Sequence, residues 1–518
     1  MTLYIFSISL MIILPLATAV WFRRRFVVPW WLFLVGAATF AGSQLYHLPL
    51  NNWLTNLGVI GPVVRDDTHF LRTAVILGLS AGLCETAARA IGYWLLFRKG
   101  AAQRSEDALM IGLGHGGIEA MGLIATLTAA GISALWAMRG TDLSTLNLPA
   151  EQLTYLNGQL QALSHITWQP FAALLERVMA VTLHVILSLL VWQAFRRRNA
   201  LFALAALLYH SLFDFTAVYL AQTLPNVGWL YVVFALLLLP GVVWLWRMWP
   251  RDGERPSTQP ISTELRLFGT ALRKELMQQW RTRRVLVVLA VFVIFGLGSP
   301  LLAKFTPQML TMVKGAEQFA SLIPVPTTAD AMTQYIKNLT QFGFIIAVLL
   351  GMGAVAGEKD KGQAALILSK PLPRWAFLFS KFTAQALIYA AAFLVSALGA
   401  YYYTYILFEP FQFGAFMAGN GLLLLWLLTF KAVTLLASTL SRSIGAAAGV
   451  ALLGAVILLL AGSIPPLAPF APASLVAWAS QLGLDTAVSP QGGSIVANTV
   501  LIIMLLISSI AAFETQEL

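Results

Sequence analysis

NVGWLYVVFALLLLPGVVWLWRMWPRDGERPSTQPIS, residues 226–262, joins two kinds of chain. Up to Arg247 it is an apolar run of about 20 residues, long enough to cross a ~30 Å hydrocarbon core as a helix. From Pro250 to Ser262 proline, glycine and charge cluster without apolar periodicity, as expected of an exposed linker. Working outward, the apolar pattern recurs near 3–22, 29–49, 69–97, 107–138, 176–195 and 199–222 before the linker. After it the pattern returns near 285–303, 336–356, 375–407, 413–437, 443–463 and 493–513. The pattern predicts an all-α polytopic membrane protein of about thirteen transmembrane helices, with boundaries good to roughly 2–4 residues. A seven-span unit, 1–250, precedes the linker 251–262, and a six-span unit, 263–518, follows it.

Composition agrees. Of 518 residues, 58% are hydrophobic and 11% charged, and the mean hydropathy is +0.77. Soluble domains run near 25% charged, so a soluble globular enzyme is excluded. High apolar content and a single cysteine, Cys84, exclude disorder and a disulfide scaffold. The surplus of 33 Lys and Arg over 22 Asp and Glu is a topology signal, because basic residues gather on cytoplasmic loops. Arg23–Arg25, Arg98/Lys99/Arg104, Arg196–Arg198, Arg247/Arg251, Arg281/Arg283/Arg284, Lys359/Lys361/Lys370/Arg374 and Arg442 fall at every second loop. One assignment, N-terminus outside and C-terminus cytoplasmic, places them all inside. In the first run the basic cluster follows the apolar stretch, which reads as a retained helix rather than a signal peptide. Juxtamembrane basic clusters favour lipid headgroups over nucleic acid.

Ionisable groups in mid-membrane cost about 2.5–3.5 kcal/mol each on insertion scales, so they mark a protein interior and a function. The third span carries Glu85 and Arg89 in CETAAR, the fourth His115 and Glu119 in GLGHGGIEA, the fifth His184, and the sixth His210 and Asp214 in YHSLFD. Glu85, His115, His184 and His210 lie eleven to thirteen residues from the basic boundary, or roughly 17–20 Å at the helical rise. Three imidazoles and a carboxylate in one layer suit zinc, with a second carboxylate to activate water. A hydrogen-bonded packing network of histidines is the other reading of the same layer. Gly112, Gly114, Gly116 and Gly117 would let helices approach around His115. His47, His69 and His165 lie at span ends or in outer loops and receive no role.

At these residues the first half resembles the YhfC-like membrane proteins, which are similar to the CPBP and Rce1 group of intramembrane metalloproteases. GHGGIEA is the most specific piece, with ETAAR and YHSLFD beside it. The resemblance implies that Glu85, His115, His184 and His210 occupy the active-site positions, with Glu119 and Asp214 as supporting groups. The residues themselves read as Glu85 and Glu119 for catalysis, His115, His184 and His210 for the metal, and Arg89 and Asp214 in support. The CPBP group opens with a doubled Glu. Here Cys84 stands at the first position, which bears on whether this copy cleaves peptides or only binds metal.

In the second half TELRLFGTALRKELMQQWRTRR, residues 263–284, repeats Phe268, Leu272, Leu276 and Trp280 every fourth position with basic residues largely between them. Such a helix suits the cytoplasmic interface. GEKDKGQAALILSKPLPRWAFLFSKF, residues 357–382, is a short charged turn followed by an apolar segment and Pro371 and Pro373, a docking surface for a soluble partner or a solvated loop. Together they resemble the membrane subunits of ABC exporters of the type 2 permease class, with an elbow helix of the RKEL…R type and an E-K-x-x-G segment facing the ATPase. The resemblance places Glu358, Lys359 and Gly362 at that docking site, followed by Leu368–Pro371 and Lys381. It implies a separate ATPase subunit, a dimer or second permease, and the cell membrane as location. No G-x-x-x-x-G-K-[ST] phosphate loop occurs in the chain, so ATP can act only through a partner. The second half carries no layer of ionisable residues comparable to the first. Three functions follow: a permease subunit fused to a metalloprotease-like domain, an active intramembrane metallopeptidase with a transport module, or a non-catalytic scaffold.

Overall fold

Each apolar run folds as a helix, because a backbone in lipid must satisfy its own hydrogen bonds. In the computed structural model 84% of the described residues are helical, and no strand occurs among them. The structure describes residues 1–65, 67–143, 150–164, 168–224, 226, 228–250, 260–311, 325–484 and 490–517. Most of the linker, residues 251–259, lies outside the described residues, as does His165. Among the described residues twelve helices are long and apolar enough to cross a membrane. The thirteenth expected span folds too, as Trp30–Asn56, but Gln44, His47, Asn51 and Asn52 leave it less apolar than those twelve.

The chain divides into two compact units, Met1–Thr128 with Gln161–Thr258, and Ala129–Leu160 with Gln259–Leu518. The first holds α1 Thr2–Phe26, α2 Trp30–Asn56, α3 Phe70–Arg98 and α4 Ser105–Ile118, which continues through a π-helical turn, Glu119–Ile124, into the start of α5 Ala125–Ala137. The rest of α5 and most of α6 Ala150–Ser164 belong to the second unit, and α7 Gln169–Arg197, α8 Leu201–Thr223 and α9 Gly228–Met248 complete the first. Two glycines permit close helix approach. A Cβ at Gly114 would lie 2.0 Å from the Phe33 carbonyl oxygen, so α4 seats backbone against α2. A Cβ at Gly82 would lie 2.7 Å from the Leu207 carbonyl oxygen, so α3 does the same on α8. Ser188 of α7 donates to the Ala108 carbonyl of α4 at 3.1 Å, and Trp192 to the Ala102 carbonyl at 2.8 Å. These contacts draw α3, α4, α7 and α8 around one point.

The second unit contains α10 Ile261–Arg281, α11 Arg284–Thr311, α12 Thr328–Gly351, the short helices α13 Ala356–Asp360 and α14 Gln363–Leu368, then α15 Arg374–Leu407, α16 Phe413–Leu440, α17 Ile444–Ala461, α18 Pro472–Gly483 and α19 Gly492–Glu514. Helix α16 is its centre. Leu423, Leu427 and Phe430 are buried in one cluster with Phe292, Tyr335, Tyr389 and Phe393 from its neighbours. Amphipathic α10 lies on α15, where Phe268 stacks on Trp375 at 5.8 Å and Glu264 accepts from the Trp375 indole at 3.1 Å. Trp280, placed on the apolar side from sequence, is 67% exposed. Its neighbours Glu275 and Gln279 turn inward instead.

Candidate metal centre and docking segment

Glu85 of α3 stands at the focus of the first unit. Its Oε2 lies 3.0 Å from His115 Nε2 on α4, 3.8 Å from His184 Nδ1 on α7 and 3.8 Å from His210 Nε2 on α8. All four residues are buried. Donor atoms of Glu85, His184 and His210 fall within 4.8 Å of one another. The four residues aligned by depth therefore converge on Glu85, but His115 touches it from outside the trio that shares that spacing.

The hydrogen-bond network assigns two imidazole tautomers. Thr39 gives its only hydroxyl proton to the Gly36 carbonyl at 2.7 Å, so it accepts from His115 Nδ1 at 2.9 Å. That leaves the Nε2 lone pair of His115 pointing at Glu85. Arginine can only donate, so Arg89 Nη2, 2.6 Å from His184 Nδ1, marks that nitrogen as an acceptor. The remaining Nε2–H of His184 then faces Glu119 Oε2 at 2.5 Å. Arg177 Nη1 holds the other oxygen of Glu119 at 2.9 Å, and its Nη2 pairs with Glu176. His210 Nε2 lies 3.4 Å from Asp214 Oδ2, while its Nδ1 is buried without a partner among the described residues.

The donor set fits a metal ion. An imidazole lone pair and a carboxylate oxygen 3.0 Å apart repel unless a positive particle lies between them. Tetrahedral zinc with bonds of 2.0–2.2 Å has donor-to-donor edges of about 3.3–3.6 Å. The three distances around Glu85 Oε2, from 3.0 to 3.8 Å, bracket that edge. Glu119 behind His184 and Thr39 behind His115 are the outer partners that orient metal-binding imidazoles. Thr39 and Arg177 were not singled out from sequence. Arg177 had a signal, lying seven residues before His184 on the same face of α7; a lone threonine in α2 had none.

In the second unit Glu358 of α13 is buried, and the charges around it close into a quartet. Lys381 Nζ lies 2.8 Å from Glu358 Oε1 and 2.9 Å from Glu275 Oε1, and Lys274 Nζ lies 3.3 and 2.8 Å from the same two atoms. Burial pushes the Glu275 carboxyl up, but Lys381 and Lys274 outweigh it and hold the group below its usual value. Lys359 donates to the Thr439 carbonyl at 2.7 Å and to Gln516 at 3.1 Å. Gly362, at φ +65°, makes the left-handed turn into α14 that glycine adopts without strain. Helix α16 anchors the segment: Ser438 donates to the Met352 carbonyl at 2.7 Å and accepts from the Val355 and Ala356 amides, each at 3.0 Å. Lys431, also on α16 and buried, donates to the Ala347 carbonyl at 3.0 Å over the Tyr389 ring. What faces outward is different: Leu366 is 71% exposed, beside a cleft lined by Lys359, Ala365, Leu440, Arg442 and Gln516.

These two units define a multi-pass membrane protein with a buried Glu/His centre in one unit and a permease-type elbow and charged turn in the other. Residues 10–235 match the model of the YhfC intramembrane metalloprotease family, and residues 270–481 that of the ABC-2 family transporter protein. The chain is a YhfC domain followed by an ABC-2 permease domain. Over 195 residues it is 29% identical to the uncharacterized transmembrane protein YxlG of Bacillus subtilis, covering 37% of this chain and 76% of that protein. The uncharacterized membrane protein YhfC of B. subtilis is 26% identical over 243 residues, 45% and 90% of the two chains. The probable ABC transporter permease protein NosY of Pseudomonas aeruginosa is 32% identical over 126 residues, 24% of this chain and 41% of its own. An ABC-2 permease carries no motor, and the family implies a partner ATPase subunit.

Proposed function

We propose that this protein is the permease subunit of an ABC-type exporter, driven by a separate ATPase subunit, whose N-terminal domain binds zinc at Glu85, His115, His184 and His210. The observation that carries the metal reading is the convergence of three imidazoles on Glu85 Oε2, with the His115 lone pair turned toward it and that of His184 held beside it by Arg89. Glu85 serves there as a ligand. Glu119, engaged by His184 and Arg177, orients His184, and Asp214 stands by His210. When bound, zinc supplies a Lewis acid that polarises carbonyls and acidifies water. With Glu85 among the ligands, Glu119 occupied and Cys84 in the preceding position, the residues favour holding a metal over cleaving peptides. Purified full-length protein is expected to carry about one zinc per chain, lost in His184→Ala and His210→Ala. Zinc content unchanged by both substitutions would sink the site.

The domains run 1–250 and 263–518, joined by 251–262, with the N-terminus outside and the C-terminus cytoplasmic in the plasma membrane. The basic clusters support that orientation. Single cysteines introduced at Asn52 and Ser369 of Cys84→Ala protein test it, since only the first should react with an impermeant thiol reagent outside intact cells. The ATPase docks on the exposed part of the 359–370 segment, with Lys359 and Gly362 shaping it and Glu358 positioning it from beneath. Two such permease units complete the exporter, as a homodimer or with a second permease.

A further inference from the structure

The metal centre contains a cation of its own. Arg89 is fully buried, and its Nη2 lies 2.6 Å from His184 Nδ1 and 3.2 Å from Glu85 Oε2. Those two acceptors, 3.8 Å apart, form one edge of the donor set. The Nδ1 of His184 has a single lone pair, so while it accepts from Arg89 it cannot also bind an ion. Guanidinium and metal are therefore alternatives on that edge.

The rest of the arginine is poorly held. Its Nε and Nη1 are buried with no hydrogen-bond partner among the described residues. An arginine kept for structure alone is normally satisfied around its whole fork, because an unmade buried hydrogen bond costs about 1–3 kcal/mol. Here the guanidinium is attached through one terminal nitrogen, to two atoms that a metal would also want. Charge points the same way. With neutral imidazoles, Arg89 and Arg177 balance Glu85 and Glu119, the charged groups that α3, the π turn and α7 bring to the centre, while Glu176 and Asp214 lie at its more exposed margin. These four inner groups already balance without a metal.

Building on the metal reading above, we propose that Arg89 is the resident cation of the metal-free centre: it bridges Glu85 and His184 and must withdraw from both before a metal can bind. Each entering ion replaces two N–H hydrogen bonds of Arg89 by bonds from Glu85 Oε2 and His184 Nδ1. Arg89 thereby sets the affinity, and it makes the empty centre stable rather than collapsed.

Full-length wild-type protein, Arg89→Gln and Arg89→Lys are purified in detergent, stripped with a chelator and titrated with Zn2+ against a competing chromophoric chelator. Thermal unfolding of the stripped proteins is followed in parallel. Arg89→Gln is expected to bind Zn2+ at least tenfold more tightly than wild type and, without metal, to unfold at a lower temperature. Arg89→Lys keeps the charge but loses the fork that reaches both acceptors, so its Zn2+ affinity should lie between the two. It keeps the test decisive if the glutamine variant does not fold. Wild-type protein that binds Zn2+ with variants equal or weaker in affinity overturns the role of Arg89 and leaves the metal centre standing. Folded wild-type and variant proteins that all fail to bind Zn2+ overturn both.

Discussion

Replacing Lys381 by methionine separates a buried ion joint from a decorative surface pair. Lys381 is 2% exposed, and Glu275 and Glu358 are each 5% exposed. Its ammonium bridges both carboxylates at 2.9 and 2.8 Å. Without it two buried carboxylates share Lys274, whose side chain is 43% exposed. Breaking a buried pair from one side costs about 3–5 kcal/mol, because the partner charge is left uncompensated. An exposed pair contributes about 0–1 kcal/mol. Lys381→Met should therefore destabilise the permease unit several times more than Lys274→Met. Pairing Lys381→Met with Glu275→Gln should recover part of the loss, since a double change removes charge from both sides. Thermal unfolding of wild type, the two lysine variants, Glu275→Gln and the double variant in one detergent reads this out. Equal losses for the two lysine variants, or strictly additive losses in the double variant, would refute the joint.

Acid adds a second reading of the same joint. The folded-state value of Glu275 is depressed, so its contribution is fully present above its unbound value near pH 4.5 and is lost as pH falls through the lower folded value. In Lys381→Met the main attraction that depresses it is gone. The stability difference between variant and wild type should shrink as the pH is lowered below about 4.5. A difference that stays constant with pH contradicts the assignment.

Three further outcomes follow from the packing. Glu119→Gln removes the charge behind His184 and should weaken Zn2+ binding by about 10–100-fold in the same chelator competition, as other outer-partner losses do. Gly114→Leu places a side chain where even a Cβ meets the Phe33 carbonyl oxygen at 2.0 Å; α4 must leave α2, at a cost of about 1–3 kcal/mol or more, with Zn2+ binding lost alongside. Leu366→Glu, at an exposed position, should leave the unfolding temperature within about 2 °C of wild type, since surface changes rarely exceed 0.5 kcal/mol, while abolishing stimulation of ATP hydrolysis by the permease.

The fold was legible because lipid imposes a strict rule: apolar runs of span length become helices, and every run read that way did so. The layer of Glu85, His115, His184 and His210 was legible for a related reason, since basic boundaries turn residue counts into depths. Depth does not tell which way a side chain turns. His115 and Glu119 are four residues apart, which puts both on one face of a helix, yet His115 faces Glu85 and Glu119 faces His184, where the helix passes into its π turn. Arg89 read as a supporting residue, while its guanidinium lies inside the donor set. The charged turn 357–362 read as surface because charge usually is. Four charges from three helices neutralise one another there, and no local pattern reports contacts spanning as many as 106 residues.

Comparing the two buried charge clusters explains why one should be permanent and the other exchangeable. At the core of each, two cations face two buried carboxylates, with Glu176 and Asp214 at the margin of the first. In the permease quartet Lys381 bridges both carboxylates from a buried position, so it cannot leave without stranding them. In the N-terminal centre the carboxylates are divided: Arg177 holds Glu119, and Arg89 holds Glu85 through one nitrogen. Arg89 can therefore depart without unpairing Glu119, provided that another cation takes Glu85. A dication does so and compensates the loss twice over, with Asp214 at the half-exposed edge of His210 available to offset the excess. The quartet thus behaves as a joint that carries the docking segment. The centre behaves as a site whose occupant can change.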